Sequence, residues 1–108
     1  MTGVVYQWHP DVVDDFRELP LVLQAAYLEQ IEVIKAGPKL GEHPDRRAST
    51  GDLSAYRKVK FGHDTPRGPS HRIVYQLLPD SYDPSQFRVI AVWSRADVYN
   101  IAAKRLNK

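Results

Sequence analysis

The sequence predicts an α+β fold with the element order β-α-α-β-β-β-α, and two patterns support this prediction. One short strand-like run and two segments with helical spacing come first, and three β-branched and aromatic runs with a last helical segment follow. The length of 108 residues fits one domain, so residues 1–108 are treated as a single unit. We expect a four-stranded, mainly antiparallel sheet with a helical hairpin on one face, a C-terminal helix, and the other face partly open.

Two prolines indicate where the two helices of the predicted hairpin begin, after a first short strand. Residues 4–8 are mostly β-branched or aromatic, and Pro10 then predicts a helix start because proline suits the first helical turn. Pro20 stops this helix and can start the next, which Gly37 ends. The short link between the helices predicts an antiparallel hairpin. The predicted apolar sides of the two helices are Val12, Val13, Phe16 and Leu19, then Leu23, Tyr27, Leu28, Ile31 and Ile34.

The second half of the chain is predicted to supply the rest of the sheet. Residues 38–52 are polar and predict a loop. The connectors 62–70 and 79–86 are short enough for antiparallel hairpins between three strands, which are predicted at residues 56–61, 71–78 and 87–94. The last of these strands is apolar on both faces, which predicts a central position in the sheet. Residues 96–106 predict the final helix, with an inner side of Val98, Ile101, Ala102 and Leu106.

Composition limits the class of protein. The apolar fraction of 43% and the charged fraction of 26% are those of an ordinary globular domain. The chain has no cysteine, which excludes disulfides and thiolate metal sites, and its four histidines lack ligand spacing, so we expect neither a metal nor a cofactor. We see no signal-peptide pattern and no apolar run long enough to cross a bilayer. We therefore expect a cytoplasmic protein with no membrane contact.

The net charge of +2 hides an uneven distribution. Residues 1–52 carry five Lys or Arg against nine Asp or Glu, whereas residues 53–108 carry ten against four. A basic second half favours a polyanionic partner such as a nucleic acid, and an ordinary dipolar surface is the alternative.

Alternation along the predicted strands places positive charges on one face of the sheet. If the apolar set of the second and third strands faces the helices, Lys58, Lys60 and Arg72 emerge together on the uncovered face. Arg95 follows the fourth strand, and Tyr99 lies one helical turn later near the same cationic cluster. The alternative is that these charges are only the solvated side of an amphipathic sheet. The apolar set consists of Val59, Phe61, Ile73, Tyr75 and Leu77.

Two lysines, two arginines and a tyrosine can supply RNA cleavage without a metal ion. The reaction removes the proton of a 2′-hydroxyl, attacks the adjacent phosphorus in line and protonates the departing 5′ oxygen. Fixed cations stabilise the negative charge that develops at phosphorus, and a tyrosine can stack on a base or donate a proton. The candidate catalytic residues are therefore Lys58, Lys60, Arg72, Arg95 and Tyr99.

Three parts of the chain resemble a family of bacterial toxins. Residues 52–61 are similar to the second strand of RelE toxins, and His-Arg-Ile-Val-Tyr-Gln at 71–76 resembles a signature of the RelE/ParE superfamily. Residues 89–106 are similar to the family's last strand and final helix. The resemblance runs in order through nearly the whole chain. It implies a RelE-like fold and a type II toxin–antitoxin system, whose toxin is an mRNA interferase, a ribosome-dependent endoribonuclease that inhibits translation.

The resemblance to the ribosome-dependent nucleases also implies a role for each candidate residue. Lys60 resembles a general base, Arg72 a phosphate stabiliser, and Arg95 a stabiliser or general acid. Tyr99 would stack on the nucleotide and orient it, and Lys58 would hold the backbone or the transition state. The implied partners are the ribosome with its mRNA, and a cognate antitoxin that covers the face of Lys58, Lys60 and Arg72.

Two other functions stay open on the same scaffold. One is a ParE-like inhibitor of DNA gyrase, and the other is an inactive family member that only binds its antitoxin. The chain departs from the family's nucleases in its modest net charge, in its long connectors 62–70 and 79–86, and in the spacing of four between Arg95 and Tyr99.

Overall fold

The computed structural model describes residues 4–38, 41, 56–79 and 83–106, and these contain four strands and three helices in the predicted order. The predicted loop over residues 38–52 lies almost entirely outside the described residues. In the described ranges, no helix is long and apolar enough to cross a membrane. In chain order the elements are β1 (Val5–Trp8), α1 (Val12–Glu18), α2 (Leu21–Ala36), β2 (Tyr56–Thr65), β3 (Gly68–Leu78), β4 (Gln86–Ser94) and α3 (Val98–Leu106).

The four strands form one mixed sheet in the order β1-β4-β3-β2. β1 runs parallel to β4, whereas β3 is antiparallel to both β4 and β2. The prediction of a mainly antiparallel sheet is therefore confirmed. β4 has a neighbour on each side and buries most of its side chains on both faces, as its continuous apolar run predicted.

The helical hairpin packs on one face of the sheet. Alternate strand residues and one side of each helix meet there in the main core, with Val59 at its margin. Full burial of one large apolar side chain contributes about 1.5–3 kcal/mol, so this core is the main source of stability. Its buried members are Val12, Leu19, Leu23, Tyr27, Ile31 and Ile34 from the hairpin, and Phe61, Ile73, Tyr75, Leu77, Phe87, Val89 and Val92 from the sheet.

α3 lies on the opposite face of the sheet and covers its part next to β3 and β4. α3 therefore covers part of the face that was predicted to be partly open. The reason is that Val74, Ile90 and Ala91 make this side of the central strands apolar, and α3 buries them. The buried residues that α3 contributes to this second core are Val98, Tyr99 and Ala102.

The β2–β3 hairpin is longer than predicted. β2 continues to Thr65 and β3 begins at Gly68, so the predicted connector shrinks to a two-residue turn at Pro66 and Arg67. The turn formers in this stretch misled the prediction. Gly62, with a φ of 103°, lies at an irregularity in the strand pairing instead of at a turn. Glycine adopts this backbone conformation readily, which allows a β-bulge where a turn was expected.

Several apolar side chains of the helical hairpin are exposed. Val13 of α1 and Leu28 of α2, both predicted on the apolar sides of their helices, are 39% and 52% exposed, and the neighbouring Trp8 of β1 is exposed as well. Leu28 directly follows the buried Tyr27, and the turn of about 100° per helical residue directs its side chain away from the sheet. The exposed side chains line an apolar groove of about 190 Å³. Exposed apolar surface of this kind is typical of a protein contact site.

A buried ion pair fixes α3 against α1 and the edge of β4. β1 pairs with β4 only as far as Val89, so the β4 backbone beyond it needs other partners. Asp15 of α1 accepts the N–H of Val92 at 3.0 Å, and Arg105 of α3 donates to the carbonyl oxygen of Ile90 at 2.9 Å. The two side chains also pair with each other through contacts of 2.6 and 2.7 Å. This pair holds three elements together at one point.

Candidate active site

The strand register brings three of the five candidate catalytic residues onto one face. Lys60 of β2 lies directly opposite Arg72 of β3. Lys58, two residues before Lys60, lies opposite Val74, two residues after Arg72. Residues that are directly opposite have Cβ atoms about 5 Å apart and point to the same side of the sheet. This side faces away from the helical hairpin, as alternation predicted.

Arg72 is buried, although the sequence predicted that it emerges on an uncovered face. Only 4% of the residue is exposed. Its Nη1 donates to the carbonyl oxygens of Pro69 at 2.6 Å and His71 at 2.9 Å. Its register partner on β4 is Trp93, a large side chain on the same face, which alternation within β3 alone did not reveal. The guanidinium is therefore a fixed charge that braces the outer part of β3.

Tyr99 and Lys58 are in contact with each other. Tyr99 is 4% exposed because α3 holds it in the second core, so its ring is not available for stacking on a base in this conformation. The Nζ of Lys58, a half-buried residue, lies 5.8 Å from the centre of that ring, within the range of a cation–π contact. The structure thus places Tyr99 behind Lys58 and away from the surface.

Lys60 and Arg95 are the two candidates with accessible charges. Lys60 is exposed and Arg95 is half-buried. The N–H of Arg95 donates to the carbonyl oxygen of Ser70 at 2.9 Å, two residues along β3 from Arg72. Neither charged group forms a hydrogen bond or ion pair with another described residue. Two cations without a partner among the described residues therefore lie at the outer end of this face.

His63 lies within β2 and not in the connector where it was predicted, whereas His71 lies within β3 as predicted. The Nδ1 of His71 lies 2.7 Å from the Oγ of Ser70. Burial, and then the positive charges of His63 and Arg72, lower the pKa of His71 below its usual value. Its imidazole is therefore mainly neutral at pH 7 and adds no charge to the site. Among the described residues, no three His, Cys, Asp or Glu side chains converge as metal ligands.

Sequence reasoning missed the residues that support the site. Asp15 and Arg105 position α3, and α3 in turn holds Tyr99 against Lys58. The sequence did contain a signal for the role of Asp15, because this residue lies three residues after Val12 on the apolar side of α1. A carboxylate on a buried helix face needs buried donors or a buried cation.

Arg67 was missed for a different reason. It lies in the predicted connector, so no argument from strand alternation applied to it. The structure puts it in the tight turn of the β2–β3 hairpin, where it lines an open groove of about 440 Å³ together with Arg95.

Comparison with known families gives a match over most of the chain. The model of the ParE toxin of the type II toxin–antitoxin system, parDE, matches residues 6–99. No curated protein sequence matches the chain at a significant level.

Solved structures of RelE toxins have a similar fold. A mutant of the E. coli toxin RelE in the free state is 19% identical, with a TM-score of 0.64 over 98% of this chain and 99% of that chain. The toxin–antitoxin complex RelBE2 from Mycobacterium tuberculosis is 18% identical, with a TM-score of 0.62 over 86% and 99%. The E. coli RelE mutant with an antitoxin peptide is 16% identical, with a TM-score of 0.62 over 94% and 93%. At these identities the similarity shows the fold alone. The family model matches most of the chain. The chain therefore belongs to the ParE toxin family of type II toxin–antitoxin systems, within the RelE/ParE superfamily.

Proposed function

We propose that this toxin is a cytoplasmic, ribosome-dependent endoribonuclease that inhibits translation by cutting mRNA without a metal ion or cofactor. The observation that carries the proposal is the pairing of Lys60 with Arg72 across β2 and β3, with Arg95 at the end of the same face. In this proposal Lys60 is the proton acceptor, Arg72 the fixed positive charge and Arg95 the second cation that act on one sugar–phosphate unit. This is the set of groups that metal-free cleavage of RNA requires.

The environment of each residue supports a division of roles. Lys60 is exposed beside a fixed cation, which suits the general base that takes the 2′-hydroxyl proton. Arg95 has an accessible guanidinium and would bind the phosphate or protonate the leaving oxygen. Arg72 is buried and would act through the field of its charge. Tyr99 would orient Lys58 in this conformation, and would stack on a base only if α3 moves.

A gyrase inhibitor is the second candidate function. It is favoured by the match to the ParE family model and by the burial of Arg72 and Tyr99, since a toxin that acts by binding needs neither side chain to reach RNA. We rank it second because Lys60 and Arg95 leave two positive charges exposed at one end of the sheet face.

The two functions are separated by two assays on the purified protein. In reconstituted translation we expect cleavage of mRNA on ribosomes and arrest of protein synthesis. With DNA gyrase and supercoiled plasmid we expect no stabilised cleavage complex. The opposite pair of results would establish the gyrase inhibitor. If neither assay detects activity while the protein binds its antitoxin, the chain is an inactive family member.

We further propose that a cognate antitoxin covers the face of Lys58, Lys60 and Arg72 with carboxylates or a helix. Solved relatives in complex with antitoxins support such a partner. The variant Lys60→Glu is expected to weaken the complex about tenfold or more, because a reversed charge would face those carboxylates. Pull-down and titration with the product of the neighbouring gene would measure this.

A matched variant tests the other exposed surface. Leu28→Ser removes an apolar side chain from the groove on the helical hairpin and is expected to leave the affinity for the antitoxin unchanged. If Leu28→Ser releases the antitoxin and Lys60→Glu does not, the apolar groove is the interface, and the proposal for the cationic face is wrong.

A further inference from the structure

An open groove lies at the outer end of the β2–β3 hairpin, next to the proposed catalytic face, with which it shares Arg95. Its volume is about 440 Å³, and its walls come from the hairpin turn and from the connection between β4 and α3. Arg67 lies on one wall and Arg95 on the other. The remaining lining residues are Thr65, Pro66, Ser70, Ser94 and Ala96, and none of them is acidic.

Ser70 joins the two walls of the groove. Its carbonyl oxygen accepts the N–H of Arg95 at 2.9 Å, and its Oγ accepts the N–H of His63 at 2.9 Å. The hairpin turn has its own bonds, since the Oγ1 of Thr65 donates to the carbonyl oxygen of Gly68 at 2.6 Å and accepts the N–H of Arg67 at 3.2 Å. The backbones that carry the two arginines are therefore held in place before any ligand binds, which lowers the entropy cost of binding.

The two arginines of the groove differ in exposure. Arg67 is exposed and Arg95 half-buried, and neither guanidinium pairs with a described residue. The nearest acidic side chain in the adjoining connection, Asp97, accepts the hydroxyl of Ser94 at 3.0 Å and does not pair with either arginine. Asp64 flanks the turn as an exposed residue and reduces the positive potential without occupying the groove.

We propose that this groove binds a backbone phosphate of a nucleic-acid strand between Arg67 and Arg95. Guanidinium groups match phosphate oxygens with two parallel hydrogen bonds, and the lining hydroxyls add polar surface without negative charge. The inference rests on the proposed function in one respect, because the strand would be the RNA that the nuclease cuts. Arg67 would hold that strand outside the catalytic face.

Arg67 lies away from Lys60, whereas Arg95 belongs both to the groove and to the proposed catalytic face. The hairpin extends five residues from Lys60 to Thr65, which corresponds to about 16 Å of backbone at the rise of a β-strand. That span places Arg67 outside the proposed catalytic pair of Lys60 and Arg72. Arg67 would therefore hold the phosphate next to the one that is cut, and Arg95 would lie between the two phosphates.

A phosphate ligand fits the groove better than an acidic peptide does. Carboxylates on a peptide are carried by flexible side chains, whereas phosphates repeat along a nucleic-acid strand at a spacing set by its backbone. Two arginines whose backbones are held in place, one of them shared with the catalytic face, match such a repeating backbone charge.

The test measures the salt dependence of binding to a short 2′-O-methyl RNA, which cannot be cut, and to single-stranded DNA of the same sequence. Arg67→Gln in the full chain is expected to weaken RNA binding about tenfold, the loss that goes with one charge-assisted hydrogen-bonded contact. It should also reduce the slope of log K against log salt by about 0.7, the value for one phosphate contact on a single strand. Arg17→Gln removes the same charge from an exposed site on α1 and should change neither quantity.

The outcomes distinguish the groove from the proposed nuclease. A lower slope in Arg67→Gln alone supports the groove, even if the wild-type protein cuts no mRNA. If the effect is seen with RNA and not with DNA, the ligand is RNA, and equal effects mean any single-stranded backbone. An unchanged slope, an equal change in Arg17→Gln, or dependence on Arg67 only for inorganic phosphate or an acidic peptide would overturn the inference.

Discussion

Replacing Arg95 with alanine is expected to lower mRNA cleavage on ribosomes by about a hundredfold or more, the usual cost of losing one donor to a charged transition state. The fold should remain intact, because the side chain of Arg95 bonds no described residue and its backbone N–H still reaches Ser70. Cleavage rates on programmed ribosomes and urea denaturation of the same preparations measure both quantities. Arg17→Ala, at an exposed position on α1 outside the proposed site, is the charge-matched control.

Arg72→Ala is expected to differ from Arg95→Ala in stability. Both variants should lose cleavage, but only Arg72→Ala removes a buried donor from two carbonyl oxygens, those of Pro69 and His71. A buried acceptor left without its donor costs about 1–3 kcal/mol of the free energy of unfolding. If both variants cleave mRNA at the wild-type rate, the assignment of the catalytic face is wrong. If Arg72→Ala is as stable as Arg95→Ala, the guanidinium does not brace β3.

The contrast between these two arginines shows what strand alternation can predict. Alternation has a period of two residues, so it assigned Lys58, Lys60 and Arg72 to one face without error. It carries no information about what covers that face. Arg72 folds back onto the carbonyl oxygens of Pro69 and His71 and lies across the register from Trp93, and alternation predicts neither arrangement. The face was therefore predictable and the exposure of its residues was not.

The hairpin and the groove illustrate a second limit. Gly62, Pro66 and Gly68 are turn formers by local propensity. Pro66 and Gly68 lie at or beside the turn, whereas Gly62 lies at the irregularity in the strand pairing. A glycine with positive φ suits a bulge as well as a turn, so composition alone could not separate the two. That ambiguity hid the extended hairpin, and with it the position of Arg67 opposite Arg95.

Replacing Asp15 with alanine is expected to reduce the free energy of unfolding by about 3 kcal/mol, because the Arg105 guanidinium loses its buried partner and keeps only the half-exposed carboxylate of Asp11 at 3.6 Å. The N–H of Val92 and the indole N–H of Trp93, which donate to Asp15 at 3.0 and 2.8 Å, lose their acceptor in the same step. Asp14→Ala, on the exposed side of the same helix, should cost much less. Urea denaturation of both variants measures the difference.

A double variant separates the charge from the packing at this position. A buried ion pair replaced by apolar side chains of similar volume is often close to neutral in stability, so Asp15→Leu with Arg105→Met should recover a large part of the loss. Failure of Asp15→Ala to destabilise the protein more than Asp14→Ala would mean that the pair does not hold α3. Because α3 keeps Tyr99 behind Lys58, a loosened α3 should also expose that tyrosine to solvent and disturb the catalytic face. The stability of the toxin and the order of its proposed site thus depend on one contact that lies outside the site.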